Sequence, residues 1–345
     1  MSNQDKKDFA KHITKYLSEY LPHERNLSPN TIVAYRDAFV LFIDFMKIIK
    51  NKPVQNIGMS DLNKENINAF LSWIVSARNC SIATSNYRLA ALLSFVRYVQ
   101  YIDIGKLSQW QEVLSIQPKK EAGRTLNYLT VDGIKLLLEQ PDITTVSGRR
   151  HLAILSLLYD TGARVQELAD LTIGSLRISS QPYTVRIVGK GRKIRIVPLM
   201  NEQVEILKTY IADYRLENID DTAIPLFFNN RREKLSRAGI TYILLTYASQ
   251  ARIINDKIIP AVLSCHSIRH SKAMHLLQAG VNLVYIRDIL GHTSIQTTDI
   301  YARSDSKAKR EALQKAYIDV SPSTGVCGQW ETDNNLRNWL KGLQK

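Results

Sequence analysis

Residues 291–302 read GHTSIQTTDIYA, which puts Tyr301 nine residues past His292, just beyond an apolar helical run. Three stretches upstream also set cationic or proton-carrying side chains beside rigid punctuation. TGARVQEL holds Arg164 after a glycine at the start of a helix, and GKGRK holds Lys190 at the tip of a hairpin. LSCHSIRHSKAMHLL holds His266 and Arg269 three residues apart, hence on one helical face. Singly, each admits a plain reading: an arginine pairing with a carboxylate, a solvated hairpin lysine, a chance His-x-x-Arg, a half-buried tyrosine. The combination is what carries chemistry.

A phenol with a pKa of about 10 is a poor nucleophile until it loses its proton. A phosphodiester attacked in line gathers charge on its non-bridging oxygens, and two guanidinium forks are suited to hold them. A lysine can protonate the departing 5′-oxygen as general acid. Histidines can take the tyrosine proton or donate to a phosphate oxygen. Tyr301, Arg164, Arg269, Lys190, His266 and His292 therefore make a complete set for phosphoryl transfer through a covalent phosphotyrosine. No HExxH, no GxxxxGK[ST] and no carboxylate spacing suited to two Mg²⁺ ions occurs, so neither a metal nor a nucleotide cofactor is expected. An acidic triad spread over distant residues stays open.

The composition agrees with a polyanionic partner. Among 345 residues, 46 Lys and Arg stand against 32 Asp and Glu, a net charge of +14. Nucleic acid is the first partner such an excess implies and an anionic membrane the second, with a generally cationic protein as the plain reading. The longest apolar runs, AFVLFIDFM and HLAILSLLY, are too short to span a bilayer, and the N-terminus lacks an apolar signal core. Three cysteines without CxxC spacing read as reduced thiols. The expected location is the cytoplasm, associated with the nucleoid.

Elements able to position the set follow from periodicity. LSPNTIVAYRDAFVLFIDFMKII opens on a Ser28 cap and Pro29, with Ile32, Tyr35, Phe39, Phe42 and Phe45 or Met46 at helical spacing. MSDLNKENINAFLSWIVSA repeats this capped pattern from Ser60, with Ile67, Phe70, Leu71 and Ile74 on one face. SIATSNYRLAALLSFVRYVQY is a third, carrying Arg88 among its polar positions as a candidate DNA contact. Four-helix packing suits these segments. The aperiodic SIQPKKEAGRTLNYLT is a linker whose Lys119, Lys120 and Arg124 could lie along phosphates or simply be solvated. Beyond it, LTVDGIKLLLEQ is a capped helix, and RRHLAILSLLYDTGARVQELADL is helical around a Thr-Gly break. TVRIV and KIRIVPL alternate around GKGR as a β-hairpin, and the pattern from Asn201 on is helical again.

The order Arg, Lys, His-x-x-Arg, Gly-His and a Tyr nine residues on resembles the tyrosine recombinase (phage-integrase-like) family, over roughly residues 10–310. The resemblance gives Arg164 the first-arginine role, with Glu167 in the neighbouring acidic position. Lys190 becomes the general acid, His266 and Arg269 the His-x-x-Arg box, His292 the Gly-His box and Tyr301 the nucleophile. Arg192 and Lys193 become backbone contacts to DNA. It implies a mainly α fold: a helical core-binding domain at 1–117, a basic linker at 118–126, and a mostly α catalytic domain with a small antiparallel sheet at 127–318. The two domains would clamp double-stranded DNA as a C. A tail at 319–345 is left for protomer contacts or an intramolecular cap.

The implied reaction is site-specific strand exchange through a 3′-phosphotyrosine, without cofactor or metal, by a homo-oligomer that is a dimer on one site and a tetramer in the synapse. The integrase or transposase of a mobile element is the leading expectation. Chromosome or plasmid dimer resolution is the alternative. A type IB topoisomerase shares the chemistry, and a non-catalytic DNA-binding regulator shares the fold.

Overall fold

The structure is a computed structural model that describes residues 3–121, 126–216, 222–229 and 231–292, together with Thr298 and Tyr301. Arg124, the 319–345 tail and the side chain of Lys190 lie outside the described residues. The chain divides into two compact units, Met1–Arg124 and Thr125–Lys345.

In the first unit, α1 (Asn3–Lys15) runs on into a wider π-helical turn, Tyr16–Glu24, which contains Pro22. Helix α2 (Pro29–Ile48) starts as its sequence dictates: Ser28 Oγ accepts from the Thr31 N–H, and Pro29 fills the first helical position. Its apolar face brings Phe39, Phe42, Phe45 and Met46 against Ile67, Phe70, Leu71 and Ile74 of α3 (Lys64–Ser76). Helix α4 (Ile82–Val99) adds Leu92, Phe95 and Val96 to this core, and α5 (Leu107–Leu114) adds the fully buried Trp110. The Phe42 and Phe70 rings meet edge to face at 5.5 Å, a favoured aromatic geometry.

Two local expectations are corrected here. The cap of α3 is Asn63, whose Oδ1 accepts from the Asn66 N–H at 2.9 Å, and not Ser60. Ser60 lies in a 3₁₀ turn, and its hydroxyl donates to Asp5 of α1 at 2.8 Å. A partner 55 residues away thus takes the side chain that local spacing assigned to the cap. The unit also contains five α-helices among the described residues where four-helix packing was expected, and α1 and α5 lie outside the three segments read as helices.

The second unit is built around α7 (Val146–Thr161), preceded by α6 (Val131–Leu138) and followed by the short α8 (Val165–Ala169). Ala153, Ile154, Leu155, Leu157 and Leu158 of α7 are all buried, so this helix forms the centre of the core. Strands β1 (Leu176–Arg177), β2 (Thr184–Val188) and β3 (Ile194–Pro198) form an antiparallel sheet in that order. The expected hairpin is β2–β3, registered Val185 to Val197 and Ile187 to Arg195, with Val185, Ile187 and Val197 buried. Helices α9 (Asn201–Asp213), α10 (Arg237–Ile254), α11 (Cys265–Gln278) and α12 (Leu283–Leu290) complete the unit. The fold is mainly α with a small antiparallel sheet. No helix among the described residues is long and apolar enough to cross a membrane.

Candidate active site

The Thr-Gly break after α7 is a sharp turn set by one glycine. Gly162 has φ +55°, and a Cβ there would stand 2.6 Å from Leu290 Cδ2, so both backbone and space demand glycine. The chain re-enters a helix two residues on, with Arg164 as the cap of α8. Glu167, one turn into α8, turns back on it. Its Oε2 accepts from the Arg164 N–H at 2.9 Å, and its Oε1 accepts from Arg164 Nη1 at 2.7 Å. Arg195, reaching across from β3, donates to Oε2 at 2.7 Å. Burial pushes the Glu167 carboxyl up, but Arg195, the Arg164 N–H and the Arg164 guanidinium together hold it below its ordinary value. It is a buried anion shared by two arginines.

Arg195 also ties the hairpin to the end of α12, donating from Nε to the Ile289 carbonyl at 2.8 Å. Gly291 caps α12 at φ +66°, and a Cβ there would lie 2.9 Å from Arg195 Nη1. Arg269 of α11 is buried and fixed between two turns: Nη1 donates to the Gly162 carbonyl and Nη2 to the Leu290 carbonyl, each at 2.7 Å. Burial, then the nearby Arg164 charge, lowers its pKa to about 10, which still leaves it cationic at neutral pH.

Tyr301 is 1% exposed, its ring packed with Ala273, Met274, Ile286 and Leu290. Its hydroxyl is hydrogen-bonded to Nδ1 of His270 at 3.0 Å. The His292 ring stacks parallel to the phenol at 6.2 Å and 12°, while His292 Nδ1 is hydrogen-bonded to Thr298 Oγ1 at 3.0 Å. His266 meets His270 edge to face at 5.8 Å. Burial raises the phenol's pKa, opposed by the Arg269 and Arg164 charges. Burial lowers His270 and His292 to about 4, helped by His266 and Arg269 at the first and by Arg269 and Arg164 at the second. Burial and the same two arginines also lower His266. All three imidazoles are neutral at pH 7.

Arg164, His266, Arg269, His292 and Tyr301, scattered over more than 130 residues of sequence, are thus gathered at one place. Beside them opens a cleft of about 420 Å³, lined by Arg164, Lys193, Arg195, Arg287 and His292 among others. Tyr301 does not line it. Lys190 lies in the hairpin's 3₁₀ tip, Lys190–Arg192. Of the residues expected to touch DNA, Arg192, Lys193, Lys119 and Lys120 are exposed. Arg88 is partly buried and donates from Nη1 to the Ala34 carbonyl of α2 at 2.9 Å. Among the described residues no group of three or more His, Cys, Asp or Glu is arranged to hold a metal ion.

Two residues of this site escape a reading of the sequence. His270 sits in the quoted HSIRH, one helical turn after His266, and i, i+4 spacing is a signal that could have found it. By sequence Arg195 reads as the polar, outward position of an alternating strand, like Arg186 on β2, but the structure turns it to the inward face it shares with Val197 and leaves Ile194 and Ile196 exposed.

Comparison with known proteins agrees with this geometry. Residues 127–308 match the phage integrase family, and residues 13–106 match the phage integrase N-terminal SAM-like domain. The integrase/recombinase y4rC of Sinorhizobium fredii is 32% identical over 96% of this chain and 97% of its own. The tyrosine recombinase XerD of Staphylococcus epidermidis is 31% identical over 90% of this chain and 98% of its own. In fold, the chain is similar to the Tn1549 transposon integrase in complex with transposon right-end DNA (TM-score 0.67, 17% identity, 88% of this chain and 99% of that one). It is also similar to the XerH recombinase bound to its difH substrate (TM-score 0.63, 22% identity, 87% and 84%). With Tyr301 and its arginines and histidines assembled in the matched region, the chain belongs to the phage integrase family and is a tyrosine site-specific recombinase.

Proposed function

We propose that Tyr301 attacks a backbone phosphate of double-stranded DNA, leaving a 3′-phosphotyrosine and a free 5′-hydroxyl that then joins a partner duplex. In this reading Arg164 and Arg269 hold the non-bridging oxygens and stabilise the charge that develops there. Arg269 arrives preorganised, with two of its five N–H groups spent on the Gly162 and Leu290 carbonyls. Glu167 and Arg195 keep Arg164 in place, Lys190 protonates the departing 5′-oxygen, and His266 and His292 line the phosphate's surroundings. The ester conserves the bond energy, so strand exchange needs no nucleotide. The observation that carries this reading is the placing of Tyr301 against α12 and His292, where Arg269 is fixed to the Leu290 carbonyl at the end of that helix and to the Gly162 carbonyl two residues before Arg164.

DNA as substrate is supported by the complexes of similar fold, described as bound to difH and to transposon right-end DNA. In this reading Arg192, Lys193, Lys119 and Lys120, all exposed, contact phosphates, with Arg124 beside the last two in sequence. Residues 1–117 serve as the core-binding domain, 118–126 as linker, 127–318 as catalytic domain, and 319–345 in contacts between protomers. A dimer on each site and a tetramer in the synapse complete the scheme.

Insertion and excision of a mobile element is the leading role, as the similarity to y4rC and to a transposon integrase supports. Dimer resolution is the second, favoured by the similarity to XerD along nearly its whole length. Trapping the adduct on a nicked duplex and mapping the modified residue by mass spectrometry tests the chemistry. DNA mass on Tyr301 is expected, and an adduct on any other residue contradicts it. Sequencing the joined products then separates the two roles, since resolution joins two like sites and integration two unlike ones.

A further inference from the structure

We infer that His270, and neither His266 nor His292, is the group that takes the proton from Tyr301 as it attacks and returns it when the tyrosine leaves. The inference rests on Tyr301 being the nucleophile, as proposed above.

The geometry separates the three imidazoles. Among the described residues, His270 is the histidine hydrogen-bonded to the phenol, at 3.0 Å through Nδ1. The His292 ring runs parallel to the tyrosine ring with centroids 6.2 Å apart, and its Nδ1 is engaged by Thr298, so that nitrogen is not aimed at the hydroxyl. His266 reaches the tyrosine only through the edge of the His270 ring. A proton acceptor must stand within hydrogen-bond reach of the proton it removes, and His270 meets that condition.

The surroundings keep His270 neutral at pH 7, and the same burial makes it a weaker acceptor than a free imidazole. His266 and Arg269 flank it on α11, and Tyr301 and His292 face it from beyond α12. No carboxylate figures among the groups that shift its titration, so it enters the reaction unprotonated. The role requires the tautomer with its proton on Nε2, in which the phenol donates to Nδ1.

The steps balance. As the phenolic oxygen bonds to phosphorus, its proton passes to Nδ1 and His270 becomes imidazolium. The P–O5′ bond breaks, and the 5′-oxygen takes a proton from Lys190. When an incoming 5′-hydroxyl attacks the phosphotyrosine, Lys190 recovers its proton and the departing Tyr301 oxygen takes its own back from His270.

The test uses the full chain and nicked suicide duplexes tiled across the DNA flanking its own gene, in single-turnover adduct formation. His270→Asn keeps a polar group near the phenol but cannot accept a proton, and is expected to slow adduct formation about 100-fold or more with duplex binding unchanged. His270→Gln provides a second variant should the first fold poorly. Each is compared with natural tyrosine and with a fluorinated tyrosine at position 301, whose more acidic phenol needs less help in losing its proton. The defect should shrink at least about tenfold with the fluorinated residue. A wild-type rate in either variant, or an equal defect with both phenols, overturns the inference. Should neither variant bind duplex, the pH profile of the unaltered chain decides. A rate that does not rise between about pH 6 and 8 fits a resident acceptor, while one rising about tenfold per unit assigns the proton to hydroxide and overturns it. Absence of any adduct from the unaltered chain would instead overturn the reading of Tyr301.

Discussion

Arg195 Nη2 stands 2.7 Å from Glu167 Oε2, and both side chains are almost withdrawn from solvent, 10% and 6% exposed. Through this pair the hairpin strand β3 is tied to the helix that carries Arg164. Breaking a buried pair from one side leaves an uncompensated charge, so Arg195→Ala should cost about 3–5 kcal/mol of stability in denaturant unfolding. Replacing both partners together, as Glu167→Gln with Arg195→Met, should cost less than either single change. A double variant no better than the singles would contradict the pairing.

Gly291 marks where α12 must end and Arg195 must pass. Its φ of +66° and the 2.9 Å that would separate a Cβ from Arg195 Nη1 both oppose a side chain. Gly291→Ala should therefore lower stability by about 1–2 kcal/mol from the left-handed backbone, with the displaced arginine adding to it. Since His292 follows directly, adduct formation should fall as well. Equilibrium unfolding and single-turnover cleavage, measured on the same preparation, check both parts.

Arg269→Lys tests whether shape or charge matters. The guanidinium spans the Gly162 and Leu290 carbonyls at 2.7 Å each, and a lysine ammonium cannot reproduce that fork. Cleavage should drop about 10²–10³-fold while duplex affinity, measured by fluorescence anisotropy, stays within about threefold. Equal losses in both measurements would show that Arg269 serves binding alone.

Stability should depend on pH in a defined window. His151, His270 and His292 are lowered from 6.5 to about 4, chiefly by burial. Each binds its proton in the unfolded chain before it does in the folded one, so acid favours unfolding. Their contribution is full above pH 6.5 and is lost as the pH falls towards 4. Glu167, also held below its ordinary value, extends the loss to lower pH. Urea unfolding at stepped pH should show this decline, and His151→Gln, remote from the tyrosine, should flatten it without slowing adduct formation.

Much of this architecture is legible in the residues because the forces behind it are local. Phe39, Phe42 and Phe45 fall on one helical face whatever surrounds them, Ser28-Pro29 caps its own helix, and TVRIV with KIRIVPL can pair only as a hairpin. Tyr301, Arg164, Arg269 and the Gly-His pair are recognisable because a fixed order of unusual residues survives any loop. What stays hidden depends on distant partners. Ser60 looks like a cap until Asp5 takes its hydroxyl, and Arg195 looks like a surface residue until Glu167 and the Ile289 carbonyl take its guanidinium. His270 stands in plain view within HSIRH, but spacing does not say which imidazole meets the phenol.

The most direct measurement of the central claim is covalent capture on nicked suicide duplexes in EDTA, run in parallel for the unaltered chain and Tyr301→Phe. A protein–DNA adduct that resists denaturation is expected in the first, unaffected by chelation, and none in the second. An adduct that survives loss of the Tyr301 hydroxyl, or one that forms only when a divalent ion is supplied, would contradict it.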